Sequence, residues 1–169
     1  MRENLIFTDK EVAFLRELTR NKVSFMVVGL SAAAFQGAPM VTQDVDLWFS
    51  NIDHPGIRKA LKKLGGMLAP PMGFNPPMFI GDHVDCFDIV LTVHGISEFD
   101  EELKTALEIS VGGVSIKVLP LDRIIASKSY LNREKDRAVL PALKSAAKAL
   151  ADRRKPASPR GGVDKAKKI

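Results

Sequence analysis

From Phe25 to Ser50 the chain reads FMVVGLSAAAFQGAPMVTQDVDLWFS, and this stretch constrains the fold more than any other. An apolar run, Phe25 to Val28, meets Gly29; a Ser/Ala-rich segment follows, Gly37 and Pro39 break it, and a second run opens with Asp44-Val45-Asp46. The pattern predicts strand, tight turn, short helix, loop and strand. The unbroken apolar character of the first strand predicts burial on both faces. Side chains alternate along the second, so Asp44 and Asp46 point one way and Val45 and Leu47 the other. Two carboxylates side by side repel, and resist burial unless a cation or a proton lies between them. The plainer account is a pair that faces water. Against it stands Gly29, which lets backbone approach a ligand closely, followed by a helix start whose amides suit an anion. Carboxylates for a divalent metal and a turn for phosphate are the two halves of a nucleotide site.

The run apolar-Gly-x-Ser-Ala, followed by Gly-x-Pro-x-x-Thr-x-Asp-apolar-Asp, resembles the signature of the DNA polymerase beta-like nucleotidyltransferase superfamily. It is most similar to small bacterial members related to minimal nucleotidyltransferases and abortive-infection toxins. The resemblance implies an α/β (α+β) fold: a mixed β-sheet flanked by helices, with further helices at the C-terminus. It also implies three metal-binding carboxylates and a Gly/Ser turn for the triphosphate. The third acid lies, in such proteins, on a strand between apolar residues. Asp88, in Phe87-Asp88-Ile89-Val90, matches that setting best. Asp85 is the fallback, with opposite parity to Asp88 on an unbroken strand.

A second likeness lies in LPLDRIIASKSYLNREKDRAVLPAL, residues 119 to 143. By it Lys128 and Lys135 reach nucleotide phosphates, and Asp136 orients its neighbours. The implied activity is transfer of a nucleoside monophosphate from an NTP to a hydroxyl acceptor on RNA, protein or a small molecule. Asp44, Asp46 and Asp88 would hold two Mg²⁺ ions, and Gly29 and Ser31 the β and γ phosphates. Two positions depart from the pattern: Leu30 follows Gly29 where a second Gly or a Ser is usual, and Met40 stands where many members carry Arg. They keep open a second class of function, a non-catalytic module that binds nucleotide or a partner protein in a toxin–antitoxin type of pair.

Elsewhere the signals are local. Thr8-Asp9-Lys10-Glu11 is a capping box and starts a helix from about Asp9 to Arg20 that buries Val12, Leu15 and Leu18. Another helix is expected from Pro55 to Leu64, ended by Gly65-Gly66, with Arg58, Lys59, Lys62 and Lys63 on its solvated side. The four prolines of Ala69 to Pro77 predict a rigid irregular loop, with Met72 or Phe74 as candidates to line a pocket beside the metal site. Met78 to Val93 reads as two strands with a turn near Gly81-Asp82, and Ser97 to Glu108 as a helix. Gly112-Gly113 marks a hairpin between Ile109–Val111 and Val114–Leu119. Two helices close the fold, the last from about Glu134 to Asp152, with Pro141 a kink.

The net charge of +5 comes from residues 153–169, where seven Lys and Arg face only Asp164; the remainder sums to −1. That segment reads as a disordered basic tail after a domain spanning residues 1–152. A nucleic-acid binder acting through the tail alone is a third option. Cys86 is the single cysteine, so neither an internal disulfide nor a thiolate metal site is available. His54, His83 and His94 lack metal-pair spacing, and no G-x-S-x-G elbow is present. The longest mainly apolar run, Phe25 to Phe35, is too short to span a bilayer, so no membrane segment and a cytoplasmic location are expected.

Overall fold

The computed structural model describes residues 7–154. The first element among the described residues is α1 (Asp9–Arg20), where Thr8 and Glu11 close the capping box and Thr8 N donates to Glu11 Oε2 at 2.6 Å. The helix buries Val12, Leu15 and Leu18 as expected, together with Phe14 and the carboxylate of Glu17, which is paired with Arg20 and Lys63. It delivers the chain to β1 (Phe25–Val28), all four residues of which are buried.

After β1 come α2 (Gly29–Phe35), β2 (Val45–Phe49), α3 (Pro55–Lys63), β3 (Met67–Ala69), β4 (Met78–Ile80) and β5 (Phe87–Val90). The rest is α4 (Phe99–Leu103), the hairpin β6 (Leu107–Val111) and β7 (Val114–Val118), α5 (Leu121–Leu131) and α6 (Glu134–Arg154). Five strands form one mixed sheet in the order β5-β2-β1-β7-β6, and β3 and β4 form a separate two-stranded ribbon. β2 runs antiparallel to β1, whereas β5 is parallel to β2 and β7 is parallel to β1. The fold class is the mixed sheet flanked by helices implied by the sequence.

Sheet register follows from burial. β1 presents apolar side chains to both faces, so it takes the centre, and Val45, Leu47, Trp48 and Phe49 of β2 are buried beside it. The outer strand β5 is fastened by Phe87, whose ring lies 5.4 Å from Phe14 and 5.9 Å from Phe7. Val45 N donates to Cys86 O at 2.8 Å at one end of the β2–β5 pair, and Trp48 Nε1 donates to Leu91 O at 3.3 Å at the other.

One expected element differs, and two others are refined. The helix at Ser97 to Glu108 is only α4, because Leu107, Ile109 and Val111 alternate with the period of a strand and pair with Val118, Ile116 and Val114. Met78 to Val93 holds the two expected strands with the turn between them, but they do not pair with each other: β4 pairs with β3, while Gly81 to Cys86 turns the chain so that β5 pairs with β2. Ala69 ends β3, and Pro70 to Pro77 forms the irregular loop expected, its tip closed by a backbone bridge between Met72 and Asn75. The final helix continues through Pro141 to Arg154, burying Leu143 and packing Val139 and Leu150 on the core. The remainder of the basic tail lies outside the described residues. Among those described, no helix is long and apolar enough to cross a membrane.

Candidate active site

Antiparallel pairing places Val28 opposite Asp46, and parallel pairing places Asp46 opposite Asp88. A row therefore runs across three strands, from the end of β1 through the start of β2 to β5. Gly29 follows at once, with φ +66, a conformation that L side chains adopt at a cost. A Cβ added there would stand 2.3 Å from Asp46 Oδ2, so the carboxylate packs directly against the glycine backbone.

Asp44 lies just before β2, and its carbonyl oxygen accepts from Ser31 Oγ at 2.9 Å and Thr42 Oγ1 at 2.7 Å. The two hydroxyls pin the loop where it enters the strand. Ser31 is thereby buried, its hydroxyl spent on the Asp44 carbonyl, and it does not line the cavity beside Gly29. Its observed part is to position Asp44.

Burial holds the Asp46 carboxyl above the ordinary carboxylate range, and the charges of Asp88 and Asp44 push the same way, while Lys128 and Lys135 pull it down. Partial desolvation raises the more exposed Asp88 as well, with the charge of Asp44 adding to the effect. The three acids thus feel one another, and two of them feel each other from neighbouring strands. Among the described residues no group of three or more His, Cys, Asp and Glu side chains that could hold a metal ion is assembled. Oxygen donors of like charge nonetheless fit a hard divalent cation, and Mg²⁺ is commonly held by one or two carboxylates plus waters and substrate phosphates rather than by an all-protein cage.

A cavity of about 330 Å³ opens beside Asp46. Gly29 and Asp46 line it from the sheet, Lys128 and Ser127 from α5, Arg133 and Lys135 from the α5–α6 junction, and Thr92 and His94 from the loop after β5. Of the residues singled out in the sequence, Gly29, Asp46, Lys128 and Lys135 meet in this one space. Asp44, Asp88 and Ser31 do not line it.

The cationic wall has a buried anchor. Asp136 has no exposed surface; it accepts from Arg133 Nε at 2.7 Å and from Lys128 Nζ at 3.3 Å. The Arg133 guanidinium foremost, with Lys128, holds its carboxyl down at about 2. The ion pairs therefore stabilise the fold above the unfolded carboxylate pKa of about 3.9, by about 2 kcal/mol, and that stability is lost as pH falls toward 2. Asp136→Asn is expected to lower the urea midpoint at pH 7 and to flatten its fall between about pH 4 and pH 2, relative to the parent chain.

Two positioning features escaped the sequence reading. Gln36 Nε2 donates to Leu119 O at 2.9 Å, and its Oε1 accepts from Leu121 N at 2.8 Å, which ties the end of α2 to the start of α5 and so to Lys128. Arg133 stands inside the Arg-x-Lys-Asp segment, but its role only emerges once Asp136 is seen buried beneath it. The expectation that Met72 or Phe74 lines a pocket beside the acids is corrected. Phe74 lines a different cavity, across the end of β5, because the β3–β4 ribbon lays the prolyl segment beside α3.

No protein-family model and no curated protein matches the sequence. Solved structures are similar in three dimensions. The crystal structure of ANT(2'')-Ia in complex with adenylyl-2''-tobramycin superposes with a TM-score of 0.53 at 15% identity, covering 84% of this chain and 88% of that one. The solution structure of the antibiotic-resistance factor ANT(2'')-Ia gives 0.55 at 12% identity, covering 85% and 84%. An antigenic nucleotidyltransferase-like protein from Paracoccidioides brasiliensis gives 0.50 at 15% identity, covering 86% and 88%. The mixed sheet, its flanking helices and its C-terminal helix pair together make up a nucleotidyltransferase fold.

Proposed function

We propose that the chain transfers a nucleoside monophosphate from an NTP to a hydroxyl acceptor at the Asp44, Asp46 and Asp88 end of the sheet. The observation that carries the reading is convergence: Gly29 and Asp46 from one stretch of sequence and Lys128 and Lys135 from another line one cavity, with Asp88, from a third, in register beside Asp46. Lys128 and Lys135 attract the triphosphate, and Gly29 lets it approach the backbone beside Asp46. Asp136 keeps Lys128 aimed while remaining charged itself. Asp44, Asp46 and Asp88 would hold the two Mg²⁺ ions, which when bound neutralise phosphate charge and lower the pKa of the acceptor hydroxyl. In the reaction the acceptor oxygen bonds to the α-phosphorus, the bond from that phosphorus to the bridging oxygen breaks, and pyrophosphate leaves. Asp88, more exposed than Asp46 and raised in pKa, takes the hydroxyl proton.

A second reading, a nucleotide- or partner-binding module without turnover, draws on Ser31. Its hydroxyl is engaged with the Asp44 carbonyl, so one of the expected phosphate contacts is already committed. Incubation of the full chain with Mg²⁺, α-labelled NTPs and candidate acceptors separates the two. Transfer of label that stops on adding EDTA is the expected result. Saturable NTP binding with no label transferred to any acceptor identifies the module instead.

A further inference from the structure

The cavity across the end of β5 shares no lining residue with the one beside Asp46. It measures about 450 Å³ and is walled by prolines 70, 71, 76 and 77. Phe74 lines it from the tip of the β3–β4 ribbon and is fully exposed, at 108% relative to an isolated residue. The ring is displayed rather than loose: Met72 and Asn75 exchange two backbone hydrogen bonds around it, and Gly73 supplies the turn at φ +59. Arg58 lines the same cavity from α3. Lys62 lies one helical turn beyond Arg58 on the same side, with Lys59 next to it, and all three are exposed. None of the three has an ion-pair partner among the described residues, whereas Lys63 of the same helix is engaged by Glu17 at 2.8 Å. Asp53 is the one carboxylate among the residues lining the cavity.

A displayed aromatic ring beside a line of cations suits single-stranded nucleic acid, because any base offers a π-face and each phosphate a negative charge. An apolar protein segment would leave Arg58, Lys59 and Lys62 unmatched; a phosphate backbone matches them. The geometry points to this cavity as the place where a single-stranded nucleic acid is held, a base stacked on Phe74 and phosphates along Arg58 and Lys62. Leu91, which also lines it, lies three residues beyond Asp88, about 10 Å along the strand direction. At about 3.4 Å per stacked nucleotide, that is roughly three nucleotides from the acids. Use of the terminal hydroxyl as the acceptor rests on the nucleotidyl-transfer reading, while the binding itself does not.

The test is fluorescence anisotropy of the full chain with a labelled 12-nucleotide single-stranded RNA, and DNA of the same sequence, over a range of salt. Phe74→Ala is expected to weaken binding about tenfold, as the loss of one stacked base should. Arg58→Glu with Lys62→Glu should weaken it further and reduce the slope of log Kd against log salt by about 1.4. The basic tail is present in every variant and cancels in these differences. Binding by the parent chain that neither variant alters, or no binding at all, overturns the proposal. So does self-association abolished by Phe74→Ala in a chain that binds no nucleic acid, which would make the patch a protein contact. Should both variants lose binding while no label is transferred by the parent chain, the nucleic-acid site stands and the transfer reading falls.

Discussion

Replacing Asp46 with Asn is expected to lower nucleotidyl transfer about 10³-fold while leaving the folded chain at least as stable. Asp46 is the acid common to both halves of the site: it lines the cavity with Lys128 and Lys135, and it pairs in register with Asp88. A carboxylate ligand to divalent metal supports several kcal/mol of charge stabilisation in the transition state. At about 1.4 kcal/mol per tenfold, that is about three orders of magnitude. The stability effect has the opposite sign. Burial and the charges of Asp88 and Asp44 raise the Asp46 pKa, so in the ion-free fold its ionised form is held at a cost that Asn removes. Measured together, steady-state transfer and thermal melting in EDTA distinguish this from a structural role, in which both would fall.

Gly29→Ala is expected to damage both properties: a loss of about 1–2 kcal/mol in stability and about 10² in transfer. The stability loss follows from φ +66, which disfavours any Cβ. The rate loss follows from where that Cβ lands. At 2.3 Å from Asp46 Oδ2, the contact is relieved most cheaply by swinging the carboxylate, since Asp46 Cγ and Cβ are farther away, at 3.3 and 3.6 Å. The acid then no longer lies beside both Asp88 and the cavity, and misplacement by about 1 Å is enough to cost 10²-fold. Urea denaturation gives the first quantity and label transfer the second. A variant with full activity would show that the Gly29–Asp46 contact is packing only.

What the sequence makes legible here is short-range. The capping box at Thr8, the buried run from Phe25 to Val28, the α3 stop at Gly65 and the Gly112-Gly113 turn all act within a few residues, and each element stands where expected. Where two local signals compete, the longer-range pairing decides. Acidic residues 98 and 100–102 favour a helix, but Leu107, Ile109 and Val111 find in-register partners on β7 and leave only α4 helical. The ribbon of β3 and β4 carries no hairpin signature, because its turn is hidden among prolines. In the site, the residue pattern singles out Gly29 and Asp46, and the family resemblance adds Lys128 and Lys135; the fold brings all four into one cavity. That Asp88 is the residue opposite Asp46 depends on a parallel pairing across forty residues of intervening chain, which no periodicity encodes. The engagement of Ser31 by the Asp44 carbonyl and the clamp made by Gln36 are equally beyond reach, as both are side-chain hydrogen bonds across a fold in the chain, 13 residues apart in the first and 83 and 85 in the second.

The most direct measurement is a crystal structure of the full chain grown with Mg²⁺ and a non-hydrolysable NTP. The account predicts Mg²⁺ held by carboxylates of the Asp44, Asp46 and Asp88 group, with the triphosphate in the cavity lined by Gly29, Lys128 and Lys135. Nucleotide bound elsewhere, or bound in this cavity with Asp44, Asp46 and Asp88 all lacking a cation, would contradict it.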